Sequence, residues 1–297
     1  MNAVSKAKIP SGKSHSELAF EFVTALAGEL SSGKIDLPSF PDVAVRVRRA
    51  LGEEDTTVDK IVRIVGSEPT LAARVLKMAN AAALNRSGKP VTELRTAIAR
   101  MGYNMVRSAA ISFAMAQIRA SEGLKGLEAP LDALWKTSTY VAATCYILTK
   151  KYTQRNPDES FLAGLLHGVG RLYLLTRTPQ FPELLGDPAS MQEIMRDWHS
   201  NVAKAILENW DLSEELVQAV TDQDDVSRAH HGPADLTDVL VAANMMVSYL
   251  DCPHDLVLNM SGVTGFRMLG LDETNCQQVL EESRVEIDEL RATLGNT

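Results

Sequence analysis

Residues 161–175 read FLAGLLHGVGRLYLL, and their reading decides the fold. Leu162, Leu165, Leu166, Val169, Leu172 and Tyr173 recur at helical spacing and form one apolar face. Upstream, Asn156 is placed to cap, Pro157 suits a first turn, and Glu159 follows the cap by three residues. One helix over about 156–177 is expected. Gly164 and Gly168 are four apart and share a face. Each costs about 1 kcal/mol of helix stability relative to Ala, so a close-packed neighbouring helix is the expected compensation. His167 is then either a core histidine with bonded ring nitrogens or a ligand-binding residue.

Working outward, the same period recurs. SELAFEFVTALAGELSSGK reads as an amphipathic helix ending near Ser32 or Gly33. IDLPSFP reads as an extended connector, because proline disfavours helix at the preceding residue. Val43, Val47, Ala50 and Leu51 share a face behind Pro41. Val58, Ile61, Val62 and Val65 follow a Thr56-x-x-Asp59 capping pattern. Leu71, Val75, Leu76 and Ala79 follow Ser67 as an N-cap. Leu94, Ala97, Ile98 and Met101 end at Gly102, and a further helix starts from an Asn104 cap. Later helices are expected near 131–152, 190–209, 212–222 and 235–250. No stretch alternates with period two long enough to be a strand. The expected fold is all-α: a two-lobed helical bundle.

Composition agrees. Of 297 residues 45% are hydrophobic and 5% aromatic, which favours a helical core. No run approaches a membrane span of about 18 apolar residues. The N-terminal MNAVSKAKIPSGKSHSEL has no signal-peptide core, so a cytoplasmic protein is expected. Cys145, Cys252 and Cys276 lack CxxC spacing, which argues against disulfides and a cysteine zinc site. The net charge of -8 argues against general nucleic-acid binding. The charge is uneven: Pro41 to Arg107 carries 12 Lys+Arg against 7 Asp+Glu, a net of +5, leaving -13 elsewhere. That basic stretch is either solvated surface or a face for an anionic partner.

VTELRTAIARMGYNMVRSAAISF imitates a helix-turn-helix. Its second helix is apolar nearly all round, whereas a recognition helix needs polar groups for bases and phosphates. It is expected to be buried. Cys276, Leu280, Ser283, Ile287, Leu290 and Leu294 repeat at 4, 3, 4, 3, 4, a heptad seam with one polar interruption. The seam serves either docking on the chain's own body or self-association, which admits a homodimer through the C-terminal helix. There is no GxSxG elbow, P-loop, HExxH or EF-hand pattern. Asp224-Asp225 reads as solvated surface, and His230-His231 as a polar loop.

Together, LPSFPDVAVRVRRAL, IVGSEPTLAARVLKMANAA, LRTAIARMGYNMVRSAAI, LW and FLAGLLHGVGRL resemble, in this order, the HDOD proteins. These are bacterial signal-output modules related to the HD phosphohydrolases. The resemblance covers about Ile35 to Leu250 and includes Leu37-Pro38, Phe40-Pro41, Ala79-Asn80 and the Gly102 turn. Glu68-Pro69 stands where the family usually has Asp-Pro. The division implied is 1–34 N-terminal tail and helix, 35–250 HDOD domain, and 251–297 C-terminal helical extension. Within the domain, 35–118 forms a first lobe and 130–250 an HD-like lobe.

Active HD enzymes hold a divalent metal through a His, a His-Asp pair and a later Asp. By resemblance these positions fall on Thr137, His167, Gly168 and Asn244. Ligand charge drops from -2 to zero, so no metal or other cofactor is expected, and no enzyme activity. His199 matches a histidine that many HDOD members keep. A site of His167, His199, His230 and His231 is conceivable, as is a vestigial anion pocket lined by His167, His199 and Thr137. The expected function is a non-catalytic regulatory module binding a signalling protein or small molecule in the cleft between its lobes. The alternatives are a divergent metal-dependent phosphohydrolase acting on a nucleotide or cyclic dinucleotide, and a DNA-binding regulator using the basic lobe.

Overall fold

In the computed structural model, residues 15–32, 41–85, 87–182 and 187–295 are described; they are helical and contain no strand. The tail 1–14 and the connector with Leu37-Pro38 and Phe40 lie outside them. The helices are α1 His15–Ser32, α2 Asp42–Gly52, α3 Val58–Gly66, α4 Pro69–Ala79 and α5 Leu94–Arg119. Next come α6 Glu128–Tyr152, α7 Pro157–Leu166, α8 Val169–Arg177, α9 Pro188–Asn209, α10 Glu214–Thr221 and α11 Leu236–Ser248. The short α12 Pro253–Met260 and α13 Thr264–Leu269, not anticipated from the sequence, lead to α14 Glu273–Thr293.

Helices α2 to α5 pack on one another, and so do α6 to α11 with α13. Helix α5 joins them by packing on α7. The predicted stripes face inward: Val43, Val47, Ala50, Leu51, Ile61, Val65, Leu71, Val75 and Ala79 are buried. Two caps sit one residue later than expected. Thr57, not Thr56, accepts from the Lys60 amide at 3.2 Å and starts α3. Glu68, not Ser67, accepts from the Thr70 amide at 3.3 Å and starts α4. Pro69 holds the first helical position, which keeps its predecessor extended. Ser67 instead closes α3, donating to the Ile64 carbonyl at 2.7 Å.

The helix-turn-helix imitation resolves as two helical runs joined at Gly102, as the sequence spacing implied. Gly102, at φ 73° and ψ 172°, kinks α5, and Met105 to Met115 are buried except for the half-buried Arg107. That positive φ favours glycine. Several first-lobe cations are neutralised locally: Arg46 by Asp42 at 2.8 Å, and Lys60 and Arg95 by Glu53 and Asp59.

The heptad seam of α14 is occupied within the chain. Cys276, Ser283, Ile287, Leu290 and Leu294 are buried as α14 packs on α6 and α4. The Arg291 guanidinium lies 3.2 Å from the Tyr140 ring centroid, and Lys150 pairs with Glu286 at 2.6 Å. Lys77 of α4 donates to the Ala292 carbonyl at 2.7 Å. The seam's apolar side chains are thus covered within the chain, except the half-buried Leu280, which lines an open groove.

Candidate functional site

The helix expected over 156–177 breaks at His167–Gly168. Helix α7 ends at Leu166 and α8 begins at Val169. The His167 carbonyl accepts from Gln223 Nε2 at 2.9 Å, so a buried side chain satisfies the group freed at the break. Gln223 Nε2 also donates to the Val220 carbonyl at 2.8 Å. Its Oε1 takes a long 3.5 Å contact from Asn244 Nδ2. Asn244 thus reaches His167 only through Gln223.

His167 is buried, and its Nδ1 lies 2.7 Å from the Gly164 carbonyl. A carbonyl only accepts, so Nδ1 carries the hydrogen and Nε2 keeps the lone pair. Burial pushes the ring's pKa down to about 4, reinforced by nearby Arg171 and opposed by the Gly164 bond. The ring is neutral at pH 7.

Close approaches flank the break. A Cβ on Gly164 would lie 2.6 Å from Ala142 Cα, so α6 and α7 touch backbone to backbone, as the sequence spacing implied. Gly170, not singled out from the sequence, meets the His199 carbonyl of α9 even more closely. Gly168 differs: its neighbours are side-chain atoms, Leu134 Cδ1 at 2.8 Å and Ser138 Oγ at 3.2 Å from a Cβ built there.

Thr137 does not join this group. Leu134 and Ser138 of α6 supply the atoms nearest Gly168, and Thr137, one residue before Ser138, does not. Its Oγ1 donates to the Ala133 carbonyl at 3.1 Å, and it lines a groove of about 660 Å³ with Tyr140, Val247, Leu280 and Arg284. The one-residue offset matters because consecutive helical positions point about 100° apart.

His199 does join it. The residue is buried, and its Nε2 lies 2.7 Å from Asp224 Oδ2 and 3.2 Å from Arg171 Nη2. The carboxylate requires the hydrogen on Nε2. Arg171 is therefore held in place by charge, 3.8 Å from Asp224 Oδ1. The His199 bond, helped by Arg171, holds the Asp224 carboxyl below the usual carboxylate range. His199 Nδ1 is buried with no hydrogen-bond partner. Asp224, read from the sequence as solvated surface, is half-exposed and belongs to the site. A helix period could have flagged Arg171, four residues after His167. No sequence signal brings Asp224 to His199.

His230 is also more than a loop residue. Its Nε2 bonds Asp238 Oδ2 at 2.8 Å, while Arg228 pairs with Asp235 at 2.6 Å and Asp238 at 3.3 Å. Asp235 and Asp238 form the capping box of α11. Among the described residues, His230, Asp235 and Asp238 alone bring three His or acidic donors within 4.8 Å of one another. No four-histidine site forms. Arg228 and the capping amides already engage this trio, which makes it a clasp at the α11 N-terminus.

The HD metal is a poor fit to the centre. His167, His199 and Asp224 do not converge. A metal about 2.1 Å from His199 Nε2 would stand within roughly 5 Å of an Arg171 nitrogen. A dication and a unit charge at that range repel by several kcal/mol even at an effective dielectric of about 20. Cys145 offers no alternative chemistry, since burial pushes its thiol far up.

The fold is shared with helical proteins of the HD-like phosphohydrolase type. A Shewanella amazonensis protein, provisionally named a metal-dependent phosphohydrolase, superposes with a TM-score of 0.74 at 25% identity, over 94% of this chain and 99% of its own. An HDOD domain protein of unknown function from Geobacter sulfurreducens gives 0.63 at 23% identity, over 93% and 98%. A Marinobacter aquaeolei protein, provisionally named a signal transduction protein, gives 0.58 at 20%, over 93% and 66%. An uncharacterized Treponema pallidum protein is 22% identical over 77% of this chain, which spans 45% of that relative. The HDOD domain profile matches residues 37–226. The chain belongs to the HDOD family. Among the described residues, no helix is long and apolar enough to cross a membrane.

Proposed function

We propose that this chain is a non-catalytic HDOD module that regulates by binding a protein or small molecule. One observation carries the reading. Where an HD centre has its paired aspartate, Gly168 faces Leu134 and Ser138 side chains, leaving His167 as the sole strong ligand among the inferred HD positions. Binding sites are to be sought elsewhere. A cleft of about 490 Å³ between the lobes, lined by Asn85, Arg100, Tyr146 and Asn156, has the size of a small-molecule site. The larger groove beside Thr137 does too. The chain is expected to purify without stoichiometric divalent metal by elemental analysis and to leave bis-p-nitrophenyl phosphate and cyclic dinucleotides intact. Bound metal with hydrolysis that His167→Ala abolishes would overturn this reading. That outcome would favour a divergent phosphohydrolase, a second reading supported by the Asp224 carboxylate beside His199.

A further inference from the structure

We propose that Arg171 is a resident cation that stands in for the metal of an HD centre. It balances the Asp224 carboxylate to which His199 donates and keeps divalent ions out. The inference rests on the non-catalytic reading and explains how the centre stays ordered without a metal.

The argument begins with charge. The Asp224 carboxylate comes from the segment after α10, His199 from α9 and Arg171 from α8. Three separate elements therefore meet at one anion and one cation. In a metal centre the dication joins such elements by accepting lone pairs from each. Here the guanidinium balances the carboxylate from 3.8 Å, and the imidazole, whose Nε2–H offers no lone pair to the guanidinium 3.2 Å away, is joined through that same carboxylate. Arg171 is about one-third exposed and Asp224 about half, while His199 is 2% exposed. The pair thus closes over a buried ring.

Position on the chain makes the substitution natural. Arg171 lies four residues after His167 and its guanidinium meets His199 and Asp224, while the space at Gly168 is taken by Leu134 and Ser138. A carboxylate at residue 168 would add an anion beside Leu134 and Ser138. With glycine there, Asp224 is the centre's one carboxylate and a monovalent guanidinium balances it.

Arg171→Met, Asp224→Asn and the double variant test this in the full chain, by thermal unfolding and by cobalt(II) titration followed in visible absorbance. Arg171→Met is expected to lower the Tm by about 3 °C in the wild-type background and by much less with Asp224→Asn. It is also expected to raise cobalt affinity by about tenfold or more, by removing a repelling charge, and Asp224→Asn should cancel that gain. A merely structural arginine would not raise metal affinity. Equal Tm losses in both backgrounds with unchanged cobalt affinity overturn the proposal while leaving the binding-module reading intact. Stoichiometric cobalt in the wild type overturns the proposal, and accompanying phosphodiester hydrolysis overturns that reading as well. If Arg171→Met alone does not fold, the double variant is expected to, because neither charge is then left unpaired. A double variant that is equally unfolded overturns the proposal.

Discussion

The two halves of the broken helix meet the molecule in different ways. On α7, Gly164 presses against the backbone of α6; on α8, Gly170 presses against the backbone of α9. Between them, Gly168 faces only side chains. Backbone walls cannot yield without moving a helix, whereas a leucine tip can change rotamer. The rigid contacts lie on either side of the HD position, and the soft one lies at it. The two backbone contacts therefore fix the helix spacing, and side chains fill the space between them.

The sharpest test of that contrast is a single methyl group. Gly170→Ala would drive a Cβ into the His199 carbonyl oxygen, and Gly164→Ala would place one 2.6 Å from Ala142 Cα. Overpacking costs about 1–3 kcal/mol and occasionally more, and unyielding backbone puts these two at about 3 kcal/mol or above. The gain of up to about 1 kcal/mol in helix propensity does not offset this. Urea denaturation would read the loss. A near-neutral Gly170→Ala would break the contrast, because α9 would then be free to slide.

A second test uses acid. The native His167 ring titrates at about 4 against an ordinary 6.5, so between those pH values the unfolded chain takes up a proton that the native ring refuses. Its contribution is fully present above about pH 6.5 and is lost as pH falls toward 4, by about 3 kcal/mol at most. Asp224 acts in the same sense at lower pH: its depressed carboxyl stabilises above the unfolded carboxylate range, and that is lost as pH falls through its native value. Urea midpoints between pH 7.5 and 4.5 should fall for the wild type and fall less for His167→Gln. Parallel curves would mean that the other histidines carry the acid sensitivity.

Much of the fold was legible because helical period and burial are local properties. The stripes of α2 to α4, the Gly102 kink and the burial of the second half of α5 follow from spacing alone. Where two polar residues compete for a cap, the sequence misplaced it by one residue, since Pro69 decides between Ser67 and Glu68 only through backbone geometry. The α14 seam was visible, but its partner was not, because a heptad pattern does not say whose surface covers it. At the site, His167 and Gly168 were legible. Thr137 falls beside Leu134 and Ser138 on α6 without supplying an atom nearest Gly168. Asp224 and Gln223 were invisible, because contacts between separate elements, with His199 and His167 respectively, leave no trace in spacing.

The smallest expected effect is the most discriminating. Gly168 has φ −93° and ψ 7°, which alanine can adopt without a left-handed penalty. Its added methyl would press on Leu134 Cδ1, the far end of a half-buried side chain, and on Ser138 Oγ. Leu134 can rotate away, so Gly168→Ala is expected to change stability by no more than about 1 kcal/mol. A side chain at 168 was therefore not removed to let two helices touch, as it must be at 164 and 170. If Gly168→Ala instead costs as much as Gly170→Ala, then Leu134 and Ser138 are as fixed as backbone. Glycine there would then be a packing requirement like the other two, and the filled centre would be a rigid part of the core.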